Sequence, residues 1–111
     1  MKLAIIGSRG LSVTDFSPYI PEGTDEIISG GAKGIDSSAA EYARSHGIKL
    51  TEILPDYARY GRVAPLKRND EIVALADEVL AFWDGESRGT AYVIKKCEKA
   101  GKVCRVVRIG E

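Results

Sequence analysis

Asp25-Glu26-Ile27-Ile28-Ser29-Gly30-Gly31-Ala32-Lys33-Gly34-Ile35-Asp36 is the stretch on which the fold turns. Asp25–Ser29 is a short run carrying Ile27 and Ile28, and it stops at a glycine pair. From Gly34 to His46 the positions Ile35, Ala39, Tyr42, Ala43 and His46 follow the i, i+4, i+7, i+8, i+11 spacing of one helix face. Gly47 stands where a helix stop belongs. Strand, glycine turn and helix in that order form half of a βαβ unit.

The same alternation continues on both sides. Lys2–Gly7, Lys49–Leu54, Glu78–Trp83 and Lys102–Ile109 are further short apolar runs, the first three stopping at Gly7, Pro55 and Asp84-Gly85. Such near-continuous runs fit strands buried on both faces of a parallel sheet. Pro65 is a good first helical residue, with Ile72, Val73, Leu75 and Ala76 inward behind it. Thr90 reads as the N-cap of a last helix with Val93, Ile94, Cys97 and Ala100 inward, ending at Gly101. The first crossover, Thr14–Ile20, is short and interrupted by Pro18, which predicts one or two helical turns. Strands alternating with helices imply right-handed crossovers. The expected fold is therefore α/β: a single Rossmann-like three-layer domain over residues 1–111, with a five-stranded parallel sheet in the order 3-2-1-4-5.

Composition narrows the class. A chain of 111 residues is one domain, and 44% hydrophobic with 29% charged residues rules out disorder as a description of the whole. No apolar run approaches the roughly 20 residues of a membrane span. Met1–Gly7 is too short and too quickly interrupted for a signal peptide, and a reducing cytoplasm is the default expectation. Two cysteines, Cys97 and Cys104, make neither a disulfide framework nor a four-ligand zinc site. Sixteen basic residues balance sixteen acidic ones, so global charge gives duplex DNA binding no support.

In a doubly wound sheet, ligands sit outside the carboxyl ends of the strands, at the switch point beside the first strand. That edge receives three loops: Gly7-Ser8-Arg9-Gly10, Ser29-Gly30-Gly31-Ala32-Lys33-Gly34-Ile35-Asp36 and Asp84-Gly85-Glu86-Ser87-Arg88-Gly89-Thr90. All three are glycine-rich and each contains a cation. Glycines let backbone N–H groups approach an anion, and helix N-termini favour phosphate. Arg9 and Arg88 suit bidentate contacts to phosphate or carboxylate, and Lys33 suits charge neutralisation. Asp36 suits backbone N–H groups or a sugar hydroxyl, and Ser87 and Thr90 offer hydroxyls. The usual dinucleotide fingerprint does not follow the first strand, and no Walker A loop is present.

Other residues admit two readings. Tyr57 and Tyr60, in the basic Asp56–Asp70 segment, either stack a base from a flap or sit in a solvated loop. Trp83 is a base platform or a core cap. His46 reads as structural at a helix end, and the two cysteines as inert buried thiols. No metal and no cofactor is expected.

Ile5-Ile6-Gly7-Ser8-Arg9, Ser29-Gly30-Gly31-Ala32-Lys33-Gly34-Ile35-Asp36-Ser37-Ser38-Ala39, Arg68-Asn69-x-x-Ile72 and Ser87-x-Gly89-Thr90 together resemble the SLOG superfamily. That group joins the DNA-processing DprA/Smf proteins with the LOG ("lonely guy") cytokinin-activating enzymes. Order and spacing resemble the DprA Rossmann core over almost the whole chain, and Trp83-Asp84-Gly85 looks most like the short stand-alone YAcAr type. The resemblance implies a pocket for a nucleotide or nucleotide derivative, such as ADP-ribose, an NAD derivative or a nucleoside monophosphate. Gly7, Ser8, Arg9, Gly30, Gly31, Lys33, Gly34, Asp36, Arg68, Asn69, Ser87, Gly89 and Thr90 match its motif positions, and Asp84, Gly85 and Arg88 complete the expected binding set. Two further activities follow from the resemblance: a LOG-like phosphoribohydrolase and DprA-like single-stranded DNA binding. Val93 stands where the LOG catalytic glutamate would be, leaving Asp36, Asp84 or Glu86 as substitutes. Members of the group often dimerise through helices flanking the pocket, so a homodimer or higher oligomer is the expected assembly, with no membrane partner.

Overall fold

A computed structural model describes residues 1–109. Five strands, β1 (Lys2–Gly7), β2 (Glu26–Ser29), β3 (Lys49–Glu52), β4 (Glu78–Trp83) and β5 (Cys104–Arg108), form one sheet. Its order is β3-β2-β1-β4-β5, and every neighbouring pair is parallel. Four helices accompany it: α1 (Ile35–Ser45), the single turn α2 (Tyr57–Tyr60), α3 (Ala64–Leu75) and α4 (Arg88–Ala100). This is the expected α/β, Rossmann-like layout.

The two-residue period of the strands divides the core into two layers. Leu3, Ile5, Ile27, Leu80 and Phe82 face Ile35, Ala39, Tyr42 and Ala43 of α1. Ala4, Ile6, Ile28, Val79 and Ala81 face Ile72 and Val73 of α3 and Val93 and Cys97 of α4. Each side chain in this second layer of strands is buried under helix, so both faces of the central strands are dry.

The first crossover is as short as expected: a single three-residue 3-10 turn, Ser17–Tyr19, forms there. Pro18 lacks the N–H that a longer helix needs. Aromatic packing does the covering instead: Phe16 is fully buried, edge-on to Tyr42 at 5.6 Å and to Phe82 at 5.4 Å, and Tyr19 meets Phe82 at 5.2 Å.

Helices α3 and α4 are tied together away from the sheet. The Tyr92 hydroxyl donates to Asp70 Oδ1 at 2.8 Å, and Lys96 Nζ lies 3.5 Å from the same oxygen. Lys102 Nζ donates to the carbonyls of Val73 and Ala76, satisfying the C-terminal end of α3. Gly101 ends α4 in the left-handed conformation, at φ 66°. The N-cap of α4 is a correction: Ser87 occupies it, and Thr90 lies inside the first turn. The sequence offers a hydroxyl at both positions, and Ser87 wins because its Oγ accepts the Thr90 N–H at 3.4 Å.

Candidate functional site

Because β1 has β2 on one side and β4 on the other, the chain leaves the sheet in opposite directions at this point. A cavity of about 390 Å³ opens there, within the range of small-molecule sites. Gly7 at the end of β1 with Ser8 and Arg9 after it, Asp36 on α1, Arg68 and Asn69 on α3, and Asp84, Ser87, Gly89 and Thr90 around the start of α4 line it. Gly30, Gly31, Lys33, Gly34, Gly85 and Arg88 do not.

One wall is built by the loop after β4. Asp84 Oδ1 accepts the N–H groups of Glu86 and Ser87, each at 2.8 Å. These bonds hold its carboxyl below the usual carboxylate range. Ser8 Oγ accepts the Asp84 N–H at 3.3 Å, linking this loop to the one after β1. Trp83 Nε1 donates to the Ser87 carbonyl at 3.0 Å, and Arg108 lies over its ring. Trp83 thus pins the loop and lies outside the cavity lining, so the base-platform reading is set aside. With the Ser87 and Thr90 N–H groups taken, the first-turn N–H groups of Arg88 and Gly89 are left without an intrahelical acceptor. A Cβ on Gly89 would meet nothing within 4 Å, so its backbone is open to an approaching group.

The opposite wall carries the buried charges. Asp36 is only 6% exposed, and its Oδ2 accepts the Ala32 N–H at 3.1 Å. Burial pushes its pKa up, against the Ala32 N–H, Arg68 and Arg9, which pull it down. Arg68 Nη1 donates to the carbonyls of Gly30 at 2.5 Å and Ile53 at 3.4 Å, and its Nε donates to Asn69 Oδ1 at 2.8 Å. Burial lowers its pKa, but a guanidinium starts so high that it stays charged.

The glycine-rich loop before α1 therefore plays a different part from the one its composition suggests. Gly30 lies against Arg68: a Cβ there would be 2.6 Å from Nη1 and 2.9 Å from Asp36 Oδ2. Gly34, at φ 78°, packs on the Arg9 backbone and draws the first two loops together. Asp36, in the first turn of α1, places its own carboxylate in this loop and takes the Ala32 N–H. Lys33 and Arg88 are exposed outside the lining. Gly31 faces Leu54 and Gly85 faces Arg108.

Tyr57 and Tyr60 also stay out of the lining. They sit on α2, capped by Asp56, with the Tyr60 ring beneath Arg59 and Lys67 and Tyr57 exposed. His46 stacks on Tyr42 at 3.9 Å beyond the far end of α1. Cys97 is buried, and burial raises the Cys104 thiol to about 12, so neither supplies thiolate. Among the described residues no group of three or more His, Cys, Asp or Glu is placed to hold a metal. No helix among them is long and apolar enough to cross a membrane. Sequence reasoning missed the apolar side of the cavity, Ile6, Pro65, Ile72 and Val93. The inward spacing of Ile72 and Val93 was read as core, and both do serve the core and the lining at once.

Over 81 residues the chain is 38% identical to the Gene 61 protein of Mycobacterium phage D29. The match covers 68% of this chain, which spans 65% of the phage protein's length. No family model matches the chain. No solved structure matches it either.

Proposed function

We propose that the chain binds a nucleotide or nucleotide derivative in this cavity, as a binding or sensor domain of SLOG type. The observation that carries the reading is the convergence of two glycine-containing turns, after β1 and β4, on one cavity. The free Gly89 N–H, the start of α4 and Arg9 give that cavity an anion-receptive side. Apolar Ile6, Ile72 and Val93 give it a surface for the less polar part of a ligand.

The phosphoribohydrolase reading has one feature in its favour. Of the three carboxylates that stand in for the missing glutamate, Asp36 alone is both buried and in the lining, with its pKa raised toward acid–base use. Asp84 is engaged by two N–H groups and Glu86 is exposed.

A thermal-shift series with AMP, ADP-ribose and NAD tests the binding reading. Ligand at 100 times its dissociation constant should add about 2.7 kcal/mol. A rise in Tm with at least one of them is expected, and none at millimolar concentration contradicts the reading. Release of free base from AMP in the same samples would move the conclusion from binding to hydrolysis.

A further inference from the structure

We infer that the Asp36–Asn69 wall reads the vicinal hydroxyls of a ribose, so that the site selects ribonucleotides over their deoxy counterparts. The inference rests on the nucleotide reading above and assigns the half of the ligand that lies away from the phosphate.

It begins with Asn69. The side chain is 9% exposed, and Arg68 Nε is bonded to one end of its amide. A guanidinium only donates, so the end facing it must be the oxygen. The amide is thereby fixed, and Nδ2 is turned the other way. Arg68 is itself fixed by the Gly30 and Ile53 carbonyls, so the orientation is transmitted from two strand ends. Nδ2 has no acceptor among the described residues, yet it is not sealed off from solvent, and the residue lines the cavity.

Asp36 offers the complement. Its Oδ2 takes the Ala32 N–H, while Oδ1 has no donor among the described residues and is likewise not sealed off. One cavity thus holds an open donor and an open acceptor, both on side chains at least nine-tenths buried. Water can reach both atoms, so a ligand that fills the cavity must replace those bonds with its own, and groups held this rigidly select for it. A phosphate is excluded from this wall by the carboxylate, and belongs at the Gly89 side. A hydroxyl pair fits: one O–H donates to Asp36 Oδ1, and its neighbour accepts from Asn69 Nδ2. A base edge fits less well, because no aromatic ring lines the cavity to stack it.

Titration calorimetry on the intact chain tests this with two pairs: ribose 5-phosphate against 2-deoxyribose 5-phosphate, and AMP against 2′-deoxy-AMP. Losing one hydrogen bond to a charged or fixed buried partner should weaken the deoxy ligands about tenfold or more. Asp36→Asn keeps an acceptor for Ala32, and Asn69→Asp keeps an oxygen for Arg68; each should erase most of the preference while melting as a folded protein. Equal affinity for ribo and deoxy ligands in the unaltered chain overturns the inference and leaves nucleotide binding standing. Preference retained in both folded variants overturns the assignment of these residues. Failure of all four ligands to bind at millimolar concentration overturns both the inference and the reading beneath it.

Discussion

Asp36 and Asp84 face one cavity and are tuned in opposite directions. Burial raises Asp36, so its folded form holds the proton more tightly than the unfolded chain does. Its contribution to stability is therefore present at low pH and is lost as pH rises from the ordinary aspartate value, about 3.9, through its raised folded value. Asp84 is lowered by the Ser87 and Glu86 N–H groups, so its contribution is present above the ordinary value and is lost as pH falls through the folded one. Asp36→Asn removes the first dependence and keeps the Ala32 bond. Denaturation of both chains across pH should show the variant gaining on the unaltered protein through the Asp36 window, then levelling off. A difference that is flat with pH would contradict the raised pKa.

Helix α4 separates folding from binding within one element. Its N-terminus, with Ser87 as cap, borders the cavity, and its C-terminus, with Gly101 at φ 66°, lies at the far end. Ser87→Ala removes the acceptor for the Thr90 N–H and should cost about 1 kcal/mol. Gly101→Ala places a Cβ at positive φ and should cost about as much. Both variants should lower Tm by similar amounts, but only Ser87→Ala should also weaken AMP binding in titration; equal loss of binding in both would mean that α4 acts on the site only through overall stability. The two ends differ in how legible they were. Gly101 is a direct consequence of a left-handed stop. The choice between Ser87 and Thr90 as cap depends on where the chain leaves β4, which Asp84 sets by gathering two N–H groups, and no spacing rule contains that. In the first crossover the short turn was legible from Pro18, which forbids a long helix, but the cover was not: it took the positions of Tyr42 and Phe82 to show that Phe16 and Tyr19 supply it.

Across the whole molecule, the strands followed from glycine and proline stops between apolar runs, and their order from the doubly wound layout that alternating strands and helices adopt. The position of the site followed from the order, since β1 lies between β2 and β4. The division of labour among the three loops did not follow. Gly30, Gly31 and Gly34 have the composition of a phosphate loop, yet their backbone is used to seat Arg68, Leu54 and Arg9, and Asp36 takes the Ala32 N–H of the same loop. Only contacts made across 38 positions, such as Arg68 on Gly30, decide this. The central claim is that the anionic end of a nucleotide lies against the start of α4 and the loop after β1. Amide chemical-shift mapping of the ¹⁵N-labelled chain with AMP tests it most directly. The largest shifts are expected at Arg9, Gly10, Arg88 and Gly89, with the Asn69 side-chain amide moving too; shifts centred on Tyr57–Arg62 or on β5, or none at millimolar AMP, would contradict it.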